Sequence, residues 1–213
     1  MSNLKNKKIL ITAGPTWVPV DDVRVISNSA SGETGILLAK RLSGQGAKVT
    51  LLLGPIGNYN PDKKIKLVLF RYFKDLKKQI HRLLNSSNYD AVIHSAAVAD
   101  YAPVKIIKGK LSSKNQRLIL ELKPLPKIIG QIKKNSDKTF LVGFKFSPRA
   151  RVKTLLLQAK ELLRLTKSDI IVANRFKNNR YLAYLVTKNR IYGSYNNKAG
   201  LTGRLTSLLE EKL

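Results

Sequence analysis

Short apolar runs alternate along the chain with longer stretches whose apolar positions recur at helical spacing. "KKILITAG" reads as a buried strand ending in glycine. "ETGILLAKRLSGQG" has apolar residues at helical spacing, Ile36, Leu37, Leu38 and Leu42, and ends in glycines suited to a C-cap. "AKVTLLLGP" is the next strand, "IGNYNPDKK" a loop and "LVLFRYF" another strand. "DLKKQIHRLL" is an amphipathic helix with Asp75 near its start, and "YDAVIHSAAVAD" is a strand running into a loop of small residues. Farther on, "QRLILEL" reads as a strand and "PLPKIIGQIKK" as a short helix with proline in its first turn. "TFLVGFKF" is a strand, "ARVKTLLLQAKELLRLTK" a long helix and "DIIVANR" a buried strand. "YLAYLVTK" and "NRIYGSY" read as a closing hairpin, and "LTGRLTSLLEEKL" as a final helix.

This alternation predicts an α/β chain of three layers. A mostly parallel, Rossmann-like sheet carries helices on both faces, with an antiparallel hairpin near the C-terminus. No repeat or long linker interrupts it, so residues 1–213 are expected to form one domain. Sheets of this kind bind ligands beyond the carboxyl ends of their strands. Four predicted strand ends are small or polar: "TAGPT", "HSAAVADYAP", "GFKFS" and "VANR". Together they predict one composite site built from loops distant in sequence.

Composition narrows the chemistry. The chain has no cysteine, which excludes disulfides and thiolate metal sites and fits a reducing compartment. Neither of its two histidines stands at zinc-ligand spacing, so no metal site built from protein side chains is expected. The N-terminal "MSNLKNKKIL" lacks a signal-peptide core, and no apolar run approaches the roughly 20 residues that cross a bilayer. A cytoplasmic protein without a membrane partner is the expectation. Forty Lys and Arg against thirteen Asp and Glu give a net charge of +27. Such a charge suits a polyanion, but the basic residues are spread along the chain and no RNA-binding aromatic motif accompanies them. Compositional drift and attraction of phosphorylated small molecules are the other readings, and nucleic acid is not the expected partner.

The first strand opens "ITAGPTWVPVDDVRVISNSASGETG", which matches neither G-x-G-x-x-G nor the Walker spacing. Its Ser27, Asn28, Ser29, Ser31 and Gly32 precede a helix beginning near Glu33 or Thr34. They could cap that helix or present its free amides to a phosphate, although Glu33 would repel one. In "SAAVADY", Ala96, Ala97 and Ala99 permit close approach by a ligand. Asp100 is either a turn aspartate or an acceptor for a ribose hydroxyl or Mg2+. His94 reads as an interior residue and His81 as solvated. "KIIKGKLSSKNQ" is a basic loop carrying Lys105, Lys108, Lys110 and Lys114. It is either simply solvated or able to close over phosphates and neutralise charge during their transfer. No Ser-His-Asp set and no G-x-S-x-G elbow is present.

Taken in order, "ITAGPT", "VDDVRVISNSASGETG", "HSAAVADYAPV", "GKLSS", "LVGFKF" and "DIIVAN" resemble the phosphopantothenoylcysteine synthetase family over almost the entire chain. The "KLSS" form is closer to its stand-alone branches than to the form fused to a flavin decarboxylase. The resemblance implies a ligase that joins 4′-phosphopantothenate to L-cysteine through an acyl-nucleotidylate, using CTP or ATP with Mg2+. It further implies a homodimer, to which the C-terminal hairpin could contribute.

Carried over by position, the resemblance makes Asn28 and Arg24 residues of the acyl substrate and the second half-reaction. Lys110 becomes the lysine required for forming the intermediate. Gly14, Asn28, Ser29, Ser31 and Gly32 would hold phosphopantothenate. Ala96, Ala97, Asp100, Lys110, Phe144, Asn174 and the turn Pro126, Lys127, Ile128, Ile129 would hold the nucleotide, with Lys160 the nearest phosphate-binding candidate on the following helix. Glu33, where the fused form commonly has lysine, and "GFKFSP", which lacks that form's glutamate, depart from the pattern. The readings that compete with the ligase are a non-catalytic, basic Rossmann-like module binding nucleotide or nucleic acid, and a nicotinamide-dependent oxidoreductase.

Overall fold

The computed structural model describes residues 3–113, 117–178 and 180–213. The chain runs β1 Lys8–Ala13, β2 Trp17–Pro19, β3 Val25–Ser27, α1 Glu33–Gly44, β4 Lys48–Leu53, β5 Lys66–Leu69 and α2 Phe73–Ser86. It continues with β6 Ala91–His94, β7 Tyr101–Pro103, β8 Leu122–Pro124, α3 Ile129–Asn135, β9 Phe140–Phe146 and α4 Val152–Thr166. β10 Ile170–Lys177, β11 Arg180–Val186, β12 Ile191–Tyr195 and α5 Lys198–Lys212 complete it.

Eight strands form one sheet in the order β12-β11-β10-β9-β6-β1-β4-β5. From β5 to β10 every pairing is parallel, and β10, β11 and β12 pair antiparallel. Numbered along the chain, the six parallel strands stand in the order 3-2-1-4-5-6, the doubly wound arrangement whose switch point lies between the first and the fourth. Here that point is the gap between the ends of β1 and β6.

The runs in β1 and β4, apolar but for a buried Thr12 and Thr50, follow from burial on both faces. Alternate residues serve alternate layers. Ile9, Ile11, Leu51, Ile93 and Val172 pack with Leu38 and Leu42 of α1 and Leu201, Leu205 and Leu209 of α5. Leu10, Leu52, Val92 and Leu141 face the opposite layer, with Leu76, Ile80 and Leu83 of α2 and Ile132 of α3. Beside them, Leu155 and Ala159 of α4 pack on Ile171, Ala173 and Val186. This is the three-layer fold expected from the sequence.

Some boundaries moved. The strand in "LVLFRYF" stops at Leu69, because Asp75 accepts the amide of Tyr72 at 2.9 Å and so starts α2 at Phe73. In "QRLILEL" only Leu122 is in a strand. Gln116 lies outside the described residues, and 117–121 have no regular structure, with Leu118 and Ile119 exposed. The helix expected over "PLPKIIGQIKK" begins at Ile129, after both prolines, since a residue before proline favours extended backbone. α5 begins earlier than its pattern, at Lys198, because Asn197 caps it by accepting the Gly200 amide at 2.7 Å.

Two short antiparallel pairs stand outside the main sheet, β2 with β3 and β7 with β8. β2, β3 and β7 interrupt connections that read as loops in the sequence, and β8 keeps only Leu122 of the strand expected over "QRLILEL". They make an arm beside the switch point.

Candidate functional site

The ends of β1 and β6 are laced together by side chains of the first strand. Thr12 Oγ1 accepts the Ala96 amide at 3.2 Å and bonds His94 Nδ1 at 2.9 Å. Ser95 donates its hydroxyl to the Thr12 carbonyl at 2.7 Å. Thr16 Oγ1 accepts the Ala99 amide at 2.9 Å, and the Ala97 amide donates to the Gly14 carbonyl at 2.9 Å. The "SAAVAD" turn is therefore fixed onto β1. The amides of Ala96 and Ala97 are already engaged, so the turn offers a ligand its small side chains and carbonyl edges. His94 is buried within this network, and burial pushes its pKa down to about 4. It is a neutral interior residue at neutral pH.

Glycines let the backbones come this close. Gly14 and Gly32 both have left-handed φ, at 79° and 70°. A Cβ on Gly32 would lie 3.1 Å from the Gly14 nitrogen, and one on Gly14 would lie 3.2 Å from the Gly54 nitrogen. A Cβ on Gly35 would lie 2.5 Å from that of Ala13 and 2.7 Å from Ser95 Oγ. The first turn of α1 thus rests directly on the switch point. Gly32 is its N-cap and no side chain caps it; Ser31 Oγ receives only a long 3.4 Å contact from the Glu33 amide. Ser29 is exposed before it.

Asn28 leans across the gap. Its Nδ2 donates to the carbonyls of Ala97 at 3.2 Å and Val98 at 3.1 Å, which leaves Oδ1 as its free acceptor. Arg24 lies at the end of the β2–β3 turn. Its Nη1 donates to Asp21 Oδ2 at 2.7 Å and to the Leu111 carbonyl at 3.2 Å. The Asp21 side chain is fully buried. It also accepts the amides of Leu111 at 2.9 Å, Val23 at 2.8 Å and Arg24 at 2.6 Å. The Leu111 amide foremost, then the other donors, hold the Asp21 carboxyl at about 2 against the opposing effect of burial.

On the other flank, Asp100 forms an ion pair with Lys127, and its carbonyl accepts the Leu125 amide at 2.8 Å. This brings the Pro126–Ile129 turn to the end of "AAVAD". The side chains of Ile128 and Ile129 point into the core rather than the site. Phe144, beside Val172 in the sheet, packs against the main core. Asn174 follows on β10, and its buried Oδ1 meets no hydrogen-bond donor at standard geometry among the described residues. The nearby Tyr181 hydroxyl is also buried; desolvation pushes its pKa up to about 12, with the Asn174 side chain opposing and the Glu33 charge adding to the rise.

Glu33 itself pairs with Lys198 at the start of α5. Lys198 thereby offsets part of its negative charge at the helix N-terminus. Lys110 is exposed on its loop and makes no hydrogen bond or ion pair among the described residues. Lys160 is exposed on α4, eight residues past its first residue and so about 12 Å along the axis. Lys114 lies outside the described residues.

The structure thus gathers Gly14, Asn28, Gly32, the "SAAVAD" turn and Asp100 with Lys127 about one gap, with Arg24 and Lys110 on the adjoining arm. Lys160 stands apart from them. The sequence reading missed Thr12, Thr16, Asp21 and Asp22. Asp21, followed by amides two and three residues on, carries a local Asx-turn signal that was there to read. Its bond to Leu111, ninety residues away, left no such signal.

No group of three His, Asp or Glu side chains that could hold a metal ion occurs among the described residues. They do not fit a protein-built Mg2+ site. No helix described is long and apolar enough to cross a membrane.

A family model described as the DNA/pantothenate metabolism flavoprotein C-terminal domain matches residues 4–199. The coenzyme A biosynthesis bifunctional protein CoaBC of Thermococcus kodakarensis is 32% identical over 207 residues, covering 95% of this chain and 46% of that protein. The chain spans about half the length of the curated relatives it matches. The crystal structure of the DNA/pantothenate metabolism flavoprotein from Streptococcus pneumoniae superposes with a TM-score of 0.88 at 26% identity, covering 97% of this chain and 100% of the other. The C-terminal domain of a CoaBC protein gives a TM-score of 0.81 at 27% identity, covering 99% and 97%.

Proposed function

Because the chain belongs to the DNA/pantothenate metabolism flavoprotein C-terminal domain family, we propose that it is a ligase of coenzyme A biosynthesis joining 4′-phosphopantothenate to L-cysteine. The observation that carries this reading is the switch-point gap lined by Asn28, the "SAAVAD" turn and Asp100, with Lys110 on the loop beside it.

In the first step the pantothenate carboxylate attacks the α-phosphate of CTP or ATP. A P–O bond forms, the bond to the β-phosphate breaks, and pyrophosphate leaves. In the second step the cysteine amine attacks the acyl carbonyl, loses a proton, and expels the nucleoside monophosphate. Neither step needs a protein nucleophile, which agrees with the absence of a triad from the sequence. Both need alignment and charge neutralisation. Lys110 supplies charge as pyrophosphate departs. Asn28, anchored through Nδ2, turns Oδ1 toward the acyl group. The uncapped amides of α1 face the phosphopantothenate phosphate. Asp100 and Asn174 hold the nucleotide, beside Phe144. Mg2+ bound to the nucleotide would neutralise phosphate charge, and no residue here is assigned to it.

The chain pairs as a homodimer in this reading. Tyr101, Val104, Ile106, Val23 and Val25 are exposed together on and around the arm, which supports pairing there.

The test is direct. Protein is incubated with 4′-phosphopantothenate, cysteine, Mg2+ and either CTP or ATP, and pyrophosphate and the amide are followed. Turnover with one nucleotide is expected, Lys110→Gln should abolish pyrophosphate release, and Asn28→Asp should let the intermediate accumulate or escape. Folded protein inactive with both nucleotides would sink the assignment.

A further inference from the structure

The two aspartates of "VDDVR" are absorbed by no step above, yet both reach across to the loop of Lys110. Asp21 Oδ2 accepts the Leu111 amide at 2.9 Å, and Asp22 Oδ2 accepts the Gly109 amide at 2.8 Å. The residues on either side of Lys110 are therefore each held by a carboxylate. Three further bonds close the junction: the Asp22 amide to the Gly109 carbonyl at 3.2 Å, the Ile107 amide to the Val20 carbonyl at 3.1 Å, and Arg24 Nη1 to the Leu111 carbonyl at 3.2 Å. Gly109 takes a left-handed φ of 77°, which turns the loop between the two carboxylates.

We propose that Asp21 and Asp22 form a clasp that positions the Lys110 backbone and ties it to the Arg24 turn, so that the lysine is preorganised for the first half-reaction. This rests on the ligase reading. The geometry separates anchoring from chemistry. The clasp grips the amides of residues 109 and 111 and leaves the Lys110 ammonium uncommitted. A lysine on an unrestrained loop would spend much of its time away from the developing charge, and fixing its backbone removes that loss. Asp21 joins the two functional turns, since the same Oδ2 meets both Arg24 Nη1 and the Leu111 amide. The low pKa of the Asp21 carboxyl keeps it charged and accepting across the working pH range.

Asp22→Ala removes one exposed acceptor. It should slow pyrophosphate release about fivefold, the net worth of one hydrogen bond. KM for the nucleotide should stay near wild type, and the melting temperature should fall by no more than about 4 °C. Asp22→Asn keeps an oxygen that can accept the Gly109 amide and should restore most of the lost rate. Asp21→Asn puts an amide group against donors and should cost more than Asp22→Ala, with the fold checked by circular dichroism. In NMR hydrogen exchange, the Gly109 amide should be protected in the wild type and exposed in Asp22→Ala. Pyrophosphate release at the wild-type rate in Asp22→Ala, or equal loss in Asp22→Ala and Asp22→Asn, overturns the clasp while leaving the ligase intact. If the wild type itself does not turn over, the ligase reading falls and Gly109 exchange decides: protection lost only in Asp22→Ala sustains the clasp, and unchanged exchange overturns it.

Discussion

Buried His94 should make the fold acid-sensitive well before its carboxylates titrate. Its folded pKa is about 4 because burial disfavours the charged ring. In the unfolded chain the value is about 6.5. A depressed folded pKa means that the unfolded chain binds the proton first. The stability from neutral His94 is therefore complete above pH 6.5 and is lost as pH falls toward 4. Linkage sets the ceiling at about 3 kcal/mol and the loss between pH 7 and pH 5 at about 2 kcal/mol. Asp21 contributes on a separate, lower limb, since its stabilisation is present above its unfolded value and disappears only as pH falls toward about 2. Urea titrations at pH 7, 6 and 5 measure the effect. With a slope of about 2 kcal/mol/M, the midpoint should drop by roughly 1 M from pH 7 to pH 5. His94→Gln retains a group able to bond Thr12 and should flatten that dependence. Equal pH slopes in the two proteins, or an NMR titration of His94 near 6.5, would refute the argument.

The remaining outcomes rest on packing and charge. A Cβ on Gly54 would lie 2.1 Å from the Pro15 carbonyl oxygen and 2.8 Å from the Phe70 ring, so Gly54→Ala should cost about 3 kcal/mol. Gly44→Ala meets nothing within 4 Å and should be neutral or stabilising by about 0.5 kcal/mol, so equal melting points for the two variants would contradict the close approach at the strand ends. Glu33→Gln breaks a half-exposed pair with Lys198 and should change stability by less than about 1 kcal/mol. It should lower KM for phosphopantothenate a few-fold, and a raised KM would show that Glu33 is needed to hold Lys198 in place. RNA binding followed against salt should be indifferent to sequence and vanish near physiological ionic strength; sub-micromolar affinity there would favour the nucleic-acid module over the ligase.

The layers were legible because central parallel strands carry continuous apolar runs, and β1, β4 and β6 could be nothing else once the helical stretches between them were seen. The closing hairpin was equally plain. What escaped was set by long-range partners. β2, β3, β7 and β8 are three residues each, too short for periodicity to register. The strand expected in "QRLILEL" failed because Leu118 and Ile119 have no neighbouring face to cover them. The site divides in the same way. Asn28, Asp100 and Lys110 stood out through motif order, but Thr12 and Thr16 look like ordinary strand and turn threonines until the "SAAVAD" turn is laid against them.

That contrast bears on how such a site can work. The gap's floor is built from backbone held by buried side chains: Thr12 on Ala96, Thr16 on Ala99, glycine against glycine from 32 to 14 to 54. Shifting it would break the buried Thr12 and Thr16 contacts and separate closely packed glycine backbones. The groups assigned to substrate in the proposed ligase hang from its edges: Asn28 by two exposed carbonyl bonds, Asp100 paired with Lys127, and the Lys110 side chain on a backbone held at 109 and 111. The exposed contacts of Asn28 and of Asp100 with Lys127 can be remade at little cost. The proposed two-step ligation would present the site first with a carboxylate and a triphosphate, then with an acyl-nucleotidylate and an amine. In that reaction a rigid floor would fix where the acyl group and nucleotide meet, while edge groups on short tethers would exchange partners between the steps. By that logic, substitutions in the floor should impair both half-reactions together, and substitutions at the edge should separate them.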